Sequence, residues 1–115
     1  MATITPVSAM SGEVRTITWT GVSTADTATA VGPYNAGKGA IRSAVTFGAT
    51  FGGATAVLQG SIDGVTYATL TDLAGNAVSA TAAKVQEFSS SCMYFKPVVS
   101  GGAGDDVDIV LAMRS

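Results

Sequence analysis

The fold is decided by residues 54–71, which read ATAVLQGSIDGVTYATLT. The dipeptide Asp63-Gly64 near the middle is a hairpin signal, because glycine adopts positive φ angles at low cost and Asp hydrogen-bonds to its own backbone. On either side, Ala54–Ser61 and Thr66–Thr71 are short runs of Thr, Val, Leu, Tyr and Ala, a composition that favours strands. The stretch therefore predicts two antiparallel strands joined by a tight turn.

The rest of the chain has the same organisation, with Gly, Pro, Asn or Asp interrupting short strand-like runs roughly every ten residues. Between Ala80 and Phe88 a helical turn competes with a strand. Pro97 lies inside one predicted strand and has no N–H to donate, which predicts that this strand is at a sheet edge or carries a bulge. The remaining predicted strands are Glu13–Thr20, Asp26–Val31, Arg42–Thr50, Ala77–Thr81, Ser91–Ser100 and Asp108–Arg114.

Side chains two residues apart in a strand share one face of the sheet. This two-residue alternation identifies four sets of residues that each share a face. The set Val45, Phe47 and Ala49 is expected to point inward. The sets are Arg15, Ile17 and Trp19; Val45, Phe47 and Ala49; Met93, Phe95, Pro97 and Val99; and Ile109, Leu111 and Met113.

The chain has 115 residues, enough for one domain with its own core. Seven or eight strands in a single sheet would leave an apolar face in water, so we expect an all-β fold of two packed antiparallel sheets, a β-sandwich with little or no helix. The strand pattern alone leaves immunoglobulin-like and jelly-roll connections open. Residues 1–12 have little periodicity and are predicted to form an N-terminal arm, followed by the sandwich domain at residues 13–115.

The chain is poor in charge. Charged residues make up 12% of it, about half the usual share, while 47% of its residues are hydrophobic. Because exposed charge keeps soluble proteins apart, this scarcity suggests that neighbours cover much of the surface in the working assembly. Nucleic-acid binding is not expected, since it needs clustered cations and these six are scattered: Arg15, Lys38, Arg42, Lys84, Lys96 and Arg114.

The absence of histidine from the sequence removes the Ser-His-Asp and Cys-His forms of catalysis. Cys92 is the only cysteine, so the chain has no internal disulfide and no set of ligands for structural zinc. We interpret it as a small buried or half-buried residue within a strand. No secretory signal and no membrane-spanning apolar run are recognisable, which predicts synthesis in a cytosol and no membrane partner.

The eight carboxylates fall into two groups, one that could bind a metal ion and one that could supply a catalytic pair. Asp105, Asp106 and Asp108 could offer oxygens to a calcium ion, but their spacing does not match an EF-hand loop and a solvated turn is the preferred interpretation. Gly101–Gly104 does not open a helix, so it is not a phosphate-binding loop. The other carboxylates are expected at turns and strand ends rather than as a glycosidase pair: Glu13, Asp26, Asp63, Asp72 and Glu87. We therefore predict no catalytic residue, no metal and no cofactor.

Aromatic residues leave one binding alternative open. Trp19, Tyr34, Tyr67 and Tyr94 could form a platform for a sugar ring, although aromatic residues in a sandwich more often belong to the core or to an interface. Tyr34 is the best candidate for a contact, because its loop at Gly32–Gly39 is otherwise small and polar.

The stretch Leu58–Leu70 resembles a hairpin of jelly-roll modules, in which an Asp-Gly pair is followed by an aromatic residue and Thr-Leu. Residues Asp72–Ala77 and Tyr94–Gly102 are similar to the version found in small virion proteins of tailed bacteriophages. The resemblance covers residues 54 to 114 and implies a head decoration, or cement, protein with a jelly-roll-like sandwich. Such proteins lie on the capsid surface, often as trimers, and commonly extend a terminal arm across the shell.

The sequence thus predicts a non-enzymatic virion protein that is synthesised in the host cytoplasm and binds the major capsid protein. A homo-oligomer is expected, with a trimer favoured. The alternative is a carbohydrate- or receptor-binding module of a phage tail or head fibre, which needs exposed aromatic or amide groups.

Overall fold

The computed structural model describes residues 3–12, 14–24, 26–33 and 41–114. This part of the chain is all-β and contains no helix. It therefore contains no helix that could span a membrane. Its eleven strands are β1 (Thr3–Ile4), β2 (Val7–Ser11), β3 (Val14–Val22), β4 (Thr27–Ala28), β5 (Ile41–Thr50), β6 (Thr55–Ser61), β7 (Ala68–Thr69), β8 (Ser79–Ala80), β9 (Lys84–Ser90), β10 (Tyr94–Ser100) and β11 (Asp106–Arg114).

The larger sheet has five strands in the order β2-β3-β11-β5-β9, and all neighbours are antiparallel. The C-terminal strand β11 lies at its centre, between β3 and β5. A register shift between Val107 and Ile109 marks a bulge where β11 pairs with β3. The two edges of this sheet are β2 and β9.

The smaller sheet has the order β10-β6-β7, and the short strand β8 also pairs with β6. Beside it, β1 and β4 form a parallel two-stranded ribbon. The segment after β4 continues to β10, where Val31 and Phe95 exchange two backbone hydrogen bonds of 2.9 and 3.0 Å.

The core lies between the two sheets, which confirms the predicted β-sandwich. Trp19 is fully buried, and its indole N–H donates to the Thr29 carbonyl at 2.8 Å, which satisfies the polar atom of this side chain. Phe88 of the larger sheet and Phe95 of the smaller one pack with ring centroids 6.4 Å apart. The other large, fully buried side chains are Phe47, Ile17, Leu58, Ile109, Leu111, Val22, Val45, Val78 and Val107.

Most predicted faces are confirmed, with one exception at Ala49. Val45 and Phe47 are buried as expected, but Ala49 is exposed. Its φ angle is 71°, in the left-handed region, so the alternation of side chains is interrupted at this residue. Phe51, two residues later, is buried again.

Several predicted boundaries also need correction. The competing helical turn at residues 80–88 is wrong, because β9 alternates exposed and buried residues from Val85 to Ser90. The strand predicted at Ser91–Ser100 begins only at Tyr94, so Cys92 precedes it. The prediction of seven or eight strands was too low, since four strands of the described chain are only two residues long.

The turn at Asp63-Gly64 is wider than predicted. The strand pairing of β6 with β7 ends at Gly60 and Ala68, so residues 61–67 form the loop. Gly64 has the expected positive φ of 79°. Pro97, in contrast, lies where it was predicted, on the edge strand β10 of the smaller sheet.

The predicted arm at residues 1–12 lies partly within the described residues. In the single chain β1 pairs with β4, and β2 pairs with β3 along the edge of the larger sheet. Ile4 packs against the core. That this segment reaches a neighbouring subunit stays a prediction.

Candidate functional site

The acidic cluster of the sequence holds two loops together. One carboxylate oxygen of Asp105 accepts hydrogen bonds from the backbone N–H and the hydroxyl of Thr24, at 2.7 and 2.8 Å. Asp108 accepts the Gly21 N–H at 2.9 Å. Within the described ranges no group of three or more His, Cys, Asp or Glu side chains is arranged to hold a metal ion. Asp105 and Asp108 therefore have structural partners in the same chain.

Three further carboxylates, those of Asp26, Asp63 and Asp72, lie in turns, as predicted. Asp26 accepts the Ser23 N–H at 3.1 Å. Asp63 accepts the N–H groups of Val65 and Thr66 at 2.9 and 3.0 Å, together with the Ser61 hydroxyl at 2.9 Å. The backbone bonds from Thr66 and Val65 and the bond from Ser61 lower the pKa of Asp63 to about 2. Asp63 therefore holds the 61–67 loop in its ionised form.

Asp72 belongs to a polar bridge between the two sheets that the sequence did not reveal. The side chain of Gln86, buried on β9, donates to the Asp72 carboxylate at 2.8 Å and to the Ala77 carbonyl at 2.9 Å. Its oxygen accepts the Ser79 N–H at 3.2 Å. Bonds from Gln86 and from the Asn76 N–H lower the pKa of Asp72. The strand alternation of Lys84–Ser90 was the available signal, because it puts Gln86 on the same face as Phe88.

Glu13 and Tyr34 lie outside the described residues. Glu87 is exposed in the middle of β9, so its expected place at a turn or strand end is wrong. Cys92 is half-buried in the turn before β10, where its N–H donates to the Ser90 hydroxyl at 3.0 Å. Its predicted place within a strand is wrong, but the predicted half-buried environment is confirmed.

The aromatic residues do not form the four-membered platform that the sequence allowed, because Trp19 is in the core. Tyr67 and Tyr94 are instead half-buried near the 61–67 loop. The Lys96 ammonium lies 4.4 Å from the centroid of the Tyr67 ring, a cation–π contact. Burial raises the pKa of Tyr67, and the nearby Tyr94 and Asp63 raise it further. We call Tyr67, Tyr94 and Lys96 the tyrosine surface.

The loop beside the tyrosine surface carries exposed apolar side chains. Ile62 is 72% exposed and Val65 is 80% exposed. Neither is needed to hold the loop, since Asp63 and Ser61 do so. Their exposure makes the loop tip a candidate contact.

The outer face of the larger sheet, the face turned away from the core, is the widest candidate interaction surface. Strand register aligns one uncharged residue from each of its five strands in a single row. With neighbouring strands about 4.8 Å apart, this row is about 19 Å long. The members of this row, which we call the Thr/Val row, are Val7, Thr18, Val110, Thr46 and Val85.

Both ends of the Thr/Val row are open to solvent, with Val7 70% and Val85 66% exposed. The next row is Ala9, Thr16, Ala112, Ala44 and Glu87, in which only the last residue is charged. These two rows are therefore low in charge and made mostly of short side chains, while Arg42 lies beyond them at one end of the face and Asp106 and Asp108 lie at the other.

Comparisons with known proteins give little further guidance. No protein-family model matches the chain, and no curated protein matches it. One solved structure, described as "Bacillus endospore appendages form a novel family of disulfide-linked pili", aligns with a TM-score of 0.39 and 19% sequence identity, covering 96% of this chain and 89% of that chain. At this level of similarity, function is argued from the residues of this chain alone.

Proposed function

We propose that this protein is a structural component of a bacteriophage virion that binds the major capsid protein and stabilises the head as a decoration protein. The role is non-catalytic and uses no metal or cofactor. The protein is synthesised in the host cytoplasm and works on the outer surface of the capsid.

The Thr/Val row is the observation that carries this proposal. Short uncharged side chains over five strands can pack against another protein without the cost of removing water from charges. We therefore interpret this face as the surface that a neighbouring subunit of a larger assembly covers. The low overall charge of the sequence has the same explanation.

The roles of the carboxylates support a non-catalytic function. Asp26, Asp63 and Asp105 each accept hydrogen bonds from backbone N–H groups of nearby loops, and Asp108 accepts the Gly21 N–H of β3. A general acid or base needs a proton that exchanges with substrate, and the low pKa of Asp63 keeps that group ionised. These groups act as loop anchors.

Stabilisation of a head follows from repetition. Each copy contributes a modest interface, and many copies on one lattice bind with a strength that no single contact has. Closed symmetry, with a trimer favoured, repeats the same contact without leaving an open end. Residues 1–12 remain the candidate arm that extends from one copy to a neighbour.

The test mixes the purified protein with empty heads of the phage that encodes it and images the heads by electron microscopy. The informative variant is Thr46→Lys, which introduces a charge into the Thr/Val row next to its central residue, Val110. Thr69→Lys is the matched control, because Thr69 is also an exposed strand threonine but belongs to the smaller sheet. We expect decoration by wild type and Thr69→Lys, and loss of decoration by Thr46→Lys. Bare heads with the wild-type protein would contradict the proposal.

The tyrosine surface favours a second candidate function, a carbohydrate- or receptor-binding module of a tail or head fibre. Two half-buried tyrosines near an exposed loop resemble the stacking groups of sugar sites. One face of the Tyr67 ring is already occupied by Lys96, which reduces the area left for a sugar. A monomer retained on a polysaccharide column, with retention lost in Tyr94→Ala, would favour this candidate over the first.

A further inference from the structure

Exposed sheet edges carry unpaired backbone groups and attract other strands, so proteins protect them with charge, proline, short strands or a covering loop. The edge strand β10 is protected in this way. Pro97 removes one outward N–H, and the Val31 backbone pairs with Phe95 on the outer side. The opposite side of that sheet ends in β7 and β8, which have two residues each.

The edge strand β9 is protected by charge. Its residues include Lys84 and Glu87, which are both exposed. Lys84 donates to the Ser79 carbonyl at 2.9 Å, and the Gln86 side chain binds the backbone of Ala77 and Ser79. These bonds join residues 77–79 to side chains of β9 that lie on the same face as Phe88.

Among the residues that the structure describes, the edge strand β2 has no charged residue, no proline and no paired segment on its outer side, and the charged side chain that reaches it is Arg15 of β3, 3.4 Å from the Ser8 hydroxyl. The five residues of β2, VSAMS, contain no charge, no proline and no glycine. Val7, Ser8, Ala9 and Met10 are all exposed, although the strand alternates between two faces of the sheet. Of the two edges of the larger sheet, β9 contains charged residues and β2 does not, so β2 is the edge better suited to pairing.

From this contrast we infer that β2 pairs antiparallel with β2 of a second copy of this chain, joining two larger sheets into one across a twofold axis. The inference rests on the proposed function, because it names the surface of the self-association that the function requires. It is an isologous contact, in which each copy presents the same five residues.

A second copy suits this edge because of its charge pattern. Antiparallel pairing centred on Ala9 places Ala9 opposite its counterpart and Ser8 opposite Met10. No charged side chains face each other, which avoids the repulsion between like charges on directly opposed strand residues. The same operation on β9, centred on Glu87, would oppose two carboxylates. The uncharged edge is therefore the self-complementary one.

The size of the contact predicts its strength. A ladder of five residues buries much less than the roughly 1,200 Å² of a stable interface, so two free copies associate weakly. Pairing is expected at protein concentrations approaching about 1 mM, and more strongly when many copies lie on one lattice. If a trimer forms through another surface, β2 pairing links one trimer to the next.

The experiment uses sedimentation equilibrium at low salt and a pair of charge variants, Ala9→Lys and Ala9→Glu. Ala9 is exposed, so neither charge enters the core. We expect wild type to double its mass with concentration, each variant alone to associate about fivefold more weakly, and an equimolar mixture to recover association because opposite charges then face each other. An isotope-filtered NOE between Ala9 residues of two wild-type copies would confirm the register.

The inference is overturned if the wild type does not double its mass up to about 1 mM, or if both variants associate like the wild type. Recovery in the mixture separates lost pairing from lost folding, because misfolded variants would not recover. Wild-type protein that decorates heads but does not pair through β2 would overturn this inference alone. Pairing through β2 with heads left bare would overturn the proposed function alone.

Discussion

Asp63 shows how one carboxylate holds a loop in place. Its bonds to Val65, Thr66 and Ser61 are made by the ionised group, and they lower its pKa from 3.8 to about 2. A group whose pKa is lower in the folded state stabilises the protein at pH values above its unfolded pKa. This stabilisation is lost as the pH falls through the folded pKa. The stabilisation by Asp63 is therefore expected to disappear between pH 3.8 and about 2.

The corresponding prediction concerns Asp63→Asn. At neutral pH the variant should unfold at a lower temperature than wild type, because an amide makes weaker bonds to the two N–H groups than a carboxylate does. The difference between the two proteins should shrink as the pH falls from 3.8 to about 2. Thermal unfolding followed by circular dichroism over this range measures it, and a difference that does not change with pH would refute the assignment.

Ala49 has a left-handed backbone conformation that is unfavourable for a residue with a Cβ atom. A left-handed conformation costs a non-glycine residue about 1–2 kcal/mol, whereas glycine pays mainly conformational entropy, about 0.5–1 kcal/mol. Ala49→Gly should therefore leave the free energy of unfolding unchanged or raise it by up to about 1 kcal/mol. Ala44→Gly, in the regular part of the same strand, should lower it by about 1 kcal/mol. Chemical denaturation of both variants tests this, and equal losses would contradict it.

At the scale of elements, β9 depends on a polar side chain to join the two sheets. Gln86→Leu keeps similar bulk but leaves the Ser79 N–H and the Ala77 carbonyl without their partner. These bonds are part-buried, so the loss lies at the lower end of the about 1–3 kcal/mol that an unpaired buried group costs, and the free energy of unfolding should fall by about 1 kcal/mol. Glu87→Gln is the control on the exposed face and should change it by less than about 0.5 kcal/mol. Equal stability of both variants in urea would argue against the bridge.

The elements also show what a sequence can reveal. Strands β3, β5, β10 and β11 were predicted with their buried faces because alternation of apolar residues is a local signal. Pro97 placed β10 at an edge because a missing N–H is a local property. The pairing of β2 with β3 and the position of β11 at the centre of the sheet depend on partners far away in sequence, which alternation does not identify.

The features of the candidate site also divide into those that the local sequence predicts and those that depend on the strand order. The turn roles of Asp26, Asp63 and Asp72 follow from the preference of Asp for its own neighbouring N–H groups, and they were predicted. The bridge from Gln86 to Asp72 and the Thr/Val row were not, because each needs the strand order of a folded sheet. Ala49 was missed because nothing in the neighbouring residues marks a positive φ at an alanine.

At the scale of the whole molecule, the two sheets differ in what they offer a partner. The smaller sheet presents the tyrosine surface, where a cation already covers one ring. The larger sheet presents the Thr/Val row and, at its β2 edge, backbone groups without charged neighbours on the strand. A partner that covers the larger sheet therefore displaces water from the apolar and hydroxyl groups of this sheet. Its binding depends on shape complementarity more than on charge.

This balance predicts how association responds to salt. Interactions between exposed charges weaken as ionic strength rises, because the screening length falls from about 14 Å near 0.05 M to about 4 Å near 0.5 M. Contacts through the Thr/Val row and β2 contain no charge pair, so self-association and head binding should hold constant across that range. Sulfate should strengthen both, since it favours burial of apolar surface. Sedimentation and head-binding titrations at three salt concentrations measure the effect. A tenfold loss of affinity in sodium chloride would mean that charged side chains carry the contact, and the uncharged Thr/Val row would then not be the surface that binds.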